Sequence, residues 1–191
     1  MEWLSRILEN KSARTGELCD NDFTRLRQEV LGELNRSFTD HISRRSLAFC
    51  FPEPPIVYPQ SAGESESLWE TGATVTIQQL EAVNGHLLAL CRHASSRLDR
   101  LVTCSLYLSR PSGISFSWHT DEWDGLIFQI RGVKRFSIKT ICEVTDFELI
   151  PRTWLRLAST DVHRAQSTDL SVHLSVNILH RPCSVSRTAA L

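Results

Sequence analysis

At 191 residues the chain is long enough to bury one substantial core, and 41% hydrophobic with 23% charged residues is the composition of an ordinary globular domain. A formal net charge of −1 gives no electrostatic drive toward nucleic acid or a membrane surface. No stretch has the apolar length of a membrane span, and the start, MEWLSRILENKSARTG, lacks a signal peptide's uninterrupted apolar core, so a cytoplasmic protein is expected.

In chain order, residues 3–9 have the spacing of a short helix. A longer helix follows, capped at Asp20 or Asn21, with Phe23, Leu26, Val30, Leu31 and Leu34 on one face. Residues 51–69 hold four of the seven prolines and then a Gly/Ser/Glu run, which predicts an extended loop. Thr76 and Gln79 form a T-x-x-Q capping pattern. With Ile77, Leu80, Val83, Leu87 and Cys91 it predicts a helix running to about Arg97, weakened in its middle by Gly85.

After residue 100 the period falls from 3.6 to 2. VTCSLYLS (102–109), ISFSWHTD (114–121) and LSVHLSVNI (170–178) each alternate apolar with polar residues, and GLIFQI and VKRFSI flank Arg131-Gly132 as the two arms of a hairpin. Many short strands with tight turns predict an all-β sandwich or barrel. The polar faces carry Ser, Thr, Tyr, His, Asp and Asn with few Lys or Glu, a composition that suits the lining of a wet cavity better than an outer surface. The six cysteines (19, 50, 91, 104, 142 and 183) show no C-x-x-C pairing, which argues for reduced, buried thiols rather than a zinc ribbon.

Two features carry chemistry. His119 and Asp121 present an imidazole and a carboxylate on one strand face; one further imidazole completes a two-His, one-carboxylate triad of the kind that holds non-haem Fe(II) with open positions. The bland alternative is a polar pair at a strand end. Lys134 shares its face with Phe136 and Ile138, and an ammonium on an apolar face needs an anion. Either an acidic side chain or a ligand carboxylate, assisted by hydroxyls such as Ser105 and Tyr107, meets that need.

The run VTCSLYLSRPSGISFSWHTDEWDGLIFQIRGVKRFSI (102–138) resembles the core of the JmjC-type oxygenases, most closely their ribosomal-oxygenase or cupin-4 branch. There a strand of the N-x-Y-x-T-P-P-G kind leads into H-x-D-x-x-x-x-x-x-Q-x-x-G-x-K. This chain supplies Ser105, Tyr107, Ser109, Pro111, His119, Asp121, Gln129, Gly132 and Lys134 in the same order. The likeness continues into 155–177, where His163, Ala165 and Ser171–Ser175 follow the family's P-x-G-x-x-H-x-A and S-L-H-L-T, with Ala158 and Thr160 in place of the Pro and Gly.

The resemblance implies a mainly β fold, a double-stranded β-helix (jelly roll or cupin) with N-terminal and flanking α-helices. It divides the chain into N-terminal helices and a Pro-rich segment (1–69), a catalytic barrel (70–183) and a tail (184–191). It implies Fe(II) held by His119, Asp121 and His163, with His173 the competing third ligand, and 2-oxoglutarate held by Lys134, Tyr107 and Ser105. Dioxygen would complete a dioxygenase that releases succinate and CO2. Hydroxylation is the default outcome; desaturation or demethylation needs only another substrate pose. The implied substrate is a protein or peptide side chain or a free amino-acid-like molecule, with no nucleic acid or membrane partner. Two other readings stay open: a non-oxidative metal-binding cupin acting as sensor or isomerase, and a silent jelly-roll interaction module. The N-terminal helices have two candidate roles, capping the barrel or making a homodimer contact.

Overall fold

Among the described residues, seven strands after residue 100 and three before it build two antiparallel sheets, and the helices cover the outer face of the larger one. The structure, a computed structural model, describes residues 2–35, 38–53, 56–111 and 116–180. In chain order the elements are α1 (Glu2–Glu9), β1 (Thr15–Glu17), α2 (Asp20–Leu34), α3 (Phe38–Ser43), β2 (Leu47–Cys50), α4 (Ala62–Glu70) and β3 (Thr74–Ile77). A 3-10 turn (Leu80–Ala82) leads to α5 (Gly85–Leu98). Then come β4 (Val102–Ser109), β5 (Trp123–Arg131), β6 (Lys134–Lys139), β7 (Val144–Leu149), β8 (Thr153–Leu157), β9 (Val162–Ser167) and β10 (Ser171–Leu179). The large sheet runs β1-β8-β5-β10-β4-β3-β2 and the small one β7-β6-β9. The fold is a jelly roll with N-terminal and flanking helices. Its two edge strands in the large sheet, β1 and β2, both come from before residue 69.

Each sheet face has its own burial. On the outer face of the large sheet, Leu4, Leu26, Val30, Leu87 and Leu90 from the helices pack on Val75, Leu106, Phe128, Leu174 and Val176. Between the sheets a smaller core joins Ile127, Leu155 and Leu157 to Phe136, Ile138, Leu149 and Ala165. The alternation that sends Phe128 outward and Ile127 inward is the period read in the sequence. No helix among the described residues is long and apolar enough to cross a membrane.

Four local expectations are corrected. The proposed loop 51–69 contains most of α4, which starts where Ser61 Oγ accepts from Glu64 N (3.1 Å) while Glu64 Oε2 accepts from Gln60 N (2.7 Å). That S-x-x-E cap was masked by the prolines before it. Thr76 caps nothing: it lies in β3, and α5 begins at Gly85, with Asn84 Oδ1 accepting from His86 N and Leu87 N at 3.0 Å. Strand pairing with β2 and β4 wins over the helical spacing of 76–80. Residues 116–122 form no strand; among the described residues His119 makes an isolated bridge with His163 and Ser117 N donates to Pro52 O (2.9 Å), while the earlier part of that predicted strand, including Ile114, lies outside the described residues.

The fourth correction concerns Arg131-Gly132. It is no hairpin, because β5 belongs to the large sheet and β6 to the small one. The chain turns a corner between sheets. Gln129, fully buried, holds that corner by donating from Nε2 to Arg131 O (2.7 Å), Gly132 O (3.0 Å) and Ser171 Oγ (2.9 Å). Gly132 adopts φ +69°, and a Cβ there would sit 2.3 Å from Leu170 O. Gly132→Ala is therefore expected to destabilise the fold by on the order of 3 kcal/mol in a urea titration, from the left-handed backbone and the contact together. The spacing Gln-x-x-Gly-x-Lys is the corner that delivers Lys134 to the inside.

Candidate active site

The inner face of the large sheet and the small sheet enclose a cavity that opens to solvent. Its wall carries His119, Asp121 and His163, with Phe116 against His119; Lys134, Tyr107 and His173, with Phe136 against His173; and the apolar Ile127 and Leu157. His119 reaches this wall from an irregular segment because its backbone pairs with β9: His119 N donates to His163 O (3.0 Å) and His163 N to His119 O (2.8 Å). One bridge thus sets two imidazoles side by side, with ring centroids 4.4 Å apart.

Both rings are oriented from behind. The Nδ1 of His119 lies 2.9 Å from Ser117 O, and that of His163 lies 3.0 Å from Asp161 O. A carbonyl only accepts, so each Nδ1 carries the proton and each Nε2 presents a bare lone pair. These lone pairs face the two oxygens of one carboxylate: His119 Nε2 is 3.6 Å from Asp121 Oδ1 and His163 Nε2 is 3.7 Å from Asp121 Oδ2. The separations exceed hydrogen bonds, so the three acceptors surround a point that calls for a cation. His163 is only 5% exposed, and burial holds its imidazole below the usual histidine range against the pull of the Asp161 carbonyl and Asp121. It stays a neutral ligand, which suits a divalent metal of the imidazole–carboxylate class, including Fe(II).

Lys134 makes the other half of the site. It is 1% exposed, and among the described residues its Nζ meets no carboxylate; it donates to Ser109 Oγ (2.8 Å), which is bonded to Thr74 Oγ1 (3.0 Å). Burial brings its ammonium down to about 7, with Cys50 pulling the other way. Cys50 supplies no counter-charge at neutral pH, because burial pushes its thiol up to about 12. Beside Lys134, His173 stacks on Tyr107 (centroids 4.7 Å, planes 3° apart) and meets the edge of Phe136. Among the described residues its Nδ1 is buried without a hydrogen-bond partner, and burial, then Lys134, hold the ring well below the usual range. Tyr107 is pushed up by burial and remains a neutral phenol. A lone ammonium with an orphaned ring nitrogen close by fits a small anion: a carboxylate would satisfy both charge and hydrogen bonding.

Of the residues singled out in the sequence, the structure brings His119, Asp121 and His163 together and puts His173 on the Lys134 wall. Ser105 lies apart from the cavity wall, its Oγ accepting from Asn177 Nδ2 at 3.4 Å. Ser109, matched in the motif but given no role, is the hydroxyl on Lys134. Alternation placed Ser105, Tyr107 and Ser109 on one face without telling which end lies at the lysine. Trp154 is core, and the Trp118 ring meets Arg164 at 4.6 Å and Lys139 at 6.0 Å from its centroid. A second cluster of ligand-type atoms, Glu81, Cys91 and Cys104, lies elsewhere. There the Glu81 carboxylate is already engaged by β4, accepting from Cys104 N (2.9 Å) and from Cys104 Sγ (3.5 Å).

No protein-family model matches the chain, and no curated protein matches it in sequence. Solved structures match in fold. The X-ray structure of Escherichia coli ycfD aligns with TM-score 0.62 and 16% identity over 96% of this chain and 54% of its own. YcfD, a ribosomal oxygenase from Escherichia coli, in complex with cobalt and succinic acid gives 0.63 and 16% over 96% and 52%. Its complex with cobalt and 2-oxoglutarate gives 0.58 and 18% over 78% and 45%. The chain shares the fold of that oxygenase and spans about half its length.

Proposed function

We propose that this chain is an Fe(II)- and 2-oxoglutarate-dependent oxygenase of the JmjC, ribosomal-oxygenase-like kind. In this reading it hydroxylates a C–H bond of a protein or peptide side chain or of a free amino-acid-like substrate. The observation that carries this reading is Lys134: a buried ammonium that meets no carboxylate among the described residues, on the wall of the same cavity as a two-His, one-carboxylate cluster. A cupin that only bound a metal would have no need of it. The fold shared with an oxygenase crystallised with cobalt and 2-oxoglutarate supports the same pairing of metal and organic acid.

The chemistry that iron(II) supplies when bound is oxidation of a C–H bond by dioxygen, at the expense of 2-oxoglutarate, with release of succinate and carbon dioxide. His119, Asp121 and His163 would hold the ion, the carbonyls of Ser117 and Asp161 keeping both Nε2 atoms turned inward. Lys134 and the Ser109 hydroxyl would take the distal carboxylate, with Tyr107 and His173 forming its flat side wall. Phe116, Ile127, Phe136 and Leu157 exclude water from the cavity they line. The side chains thus bind, orient and dry the site.

Anaerobic titration of metal-free protein with Fe(II) and then 2-oxoglutarate tests this directly. A visible charge-transfer absorption that requires both components is expected. Metal binding without that band would replace the reading with a non-oxidative metal cupin, and no metal binding at all would leave a jelly-roll interaction module.

A further inference from the structure

The turn that delivers His163 lacks the Pro and Gly of the resembling family, and Asp161 holds it instead. Asp161 N donates to Ala158 O (2.9 Å), and Asp161 Oδ2 accepts from Ala158 N (2.8 Å), so the residue closes the turn with its backbone and its side chain. Its carbonyl is also the group that orients His163 Nδ1. The carboxylate is in turn gripped by Arg14, whose Nη1 lies 2.8 Å from Oδ2 and Nη2 3.2 Å from Oδ1, a two-pronged contact across the length of the chain.

Arg14 is itself anchored. It immediately precedes β1, which pairs with β8 through Thr15 and Leu155. Arg156 N donates to Arg14 O (2.7 Å), and the Arg156 guanidinium donates to Ala13 O and Asn10 O (both 3.4 Å) and to Ile7 O. On the other flank Ser159 N donates to Asp124 Oδ1 (3.0 Å), and Asp124 is paired with Arg100 at 2.9 Å. The turn is held from both sides by carboxylates, each backed by an arginine.

The Arg14 and Asp161 side chains are 42% and 14% exposed. A pair this open contributes little to global stability, and its geometric consequence falls on one imidazole. We infer that Arg14 is a positioning residue for the metal site, acting through Asp161 on the orientation of His163. This rests on the proposed iron reading. Groups that orient a metal ligand from behind change metal affinity by about 10–100-fold when removed.

The test is Mn(II) affinity of the full chain, read by the free-ion electron paramagnetic resonance signal. Wild type is compared with Arg14→Gln, Arg14→Lys and Arg97→Gln. The last breaks another N-terminal ion pair, Arg97–Glu9 at 3.2 Å, which lies away from the turn. Arg14→Gln should weaken Mn(II) about 10-fold. Arg14→Lys should recover part of that loss, and Arg97→Gln should bind as wild type does. The metal-free proteins should melt alike. Equal affinity in Arg14→Gln and wild type would overturn the inference, as would equal weakening by Arg97→Gln, which would mean general loosening. Should Arg14→Gln fail to fold, Asp161→Asn breaks the same pair while keeping an oxygen for Ala158 N, and wild-type affinity there would equally overturn it. Failure of wild type to bind Mn(II) would instead remove the iron reading on which the inference stands.

Discussion

Replacing Lys134 with methionine should weaken 2-oxoglutarate binding about 100–4,000-fold while leaving the ligand-free protein more stable at neutral pH. Losing one partner of a buried charge pair costs about 3–5 kcal/mol, which sets the size of the binding loss. The stability gain follows from the same ammonium meeting no carboxylate among the described residues. Burial holds Lys134 at about 7 against an ordinary 10.5. Below pH 7 folded and unfolded chains both carry the proton and the burial cost is fully present. Between about 7 and 10.5 the unfolded chain binds more protons, so wild-type stability rises with pH by up to a few kcal/mol. Urea titrations at pH 7 and pH 9.5 should show this rise in wild type and its loss in Lys134→Met. Calorimetry in buffers of different ionisation enthalpy should show proton uptake on cosubstrate binding above pH 7, with affinity falling up to tenfold per unit. Equal binding of 2-oxoglutarate by both proteins would remove Lys134 from the site.

The second large effect concerns the three acceptors that surround one point. Alanine at His119, Asp121 or His163 should each weaken divalent-metal binding by more than about 100-fold, beyond the range for groups that merely orient a ligand, and should abolish succinate formation. His173→Ala should keep metal affinity, because that ring stacks on Tyr107 beside Lys134 and not beside Asp121. Mn(II) titrations of the four variants check both statements. Succinate formation in His119→Ala, or lost metal in His173→Ala alongside retained metal in His163→Ala, would reverse the assignment.

Alternation along β4, β6 and β10 told on which side a residue lies, and it did so where one face of a strand is apolar and the other polar. It could not tell which strand lies next door. Arg131-Gly132 reads identically whether the chain doubles back or crosses to another sheet, and only the pairing of β6 with β7 and β9 decides. Residues 76–80 satisfy a helical stripe, yet strand partners more than twenty residues away on either side claim Thr76. Ser109 was hidden for the same reason: its bond to Lys134 depends on how β4 and β6 meet across the cavity, which no single strand records. His119 was assigned to a strand on spacing; its place against His163 comes from one bridge that local pattern does not reveal.

The pairing of Arg14 with Asp161 joins residues 147 positions apart, and β1 reaches β8 over a similar span. Contacts of that separation form late, because the loop they close must lose its freedom before they return anything. The large sheet can take up its last edge only after β8 has appeared, whereas α1 already has a partner in α5, where Ser5 Oγ meets His93 Nε2 at 2.7 Å. During synthesis β1 therefore waits for the strand it will border, while the helix before it already has a surface to dock on. The Asp161 turn gains its grip from Arg14 only when that edge is in place, so a chain lacking residues 1–17 should lose the edge of the sheet and the hold on the turn together.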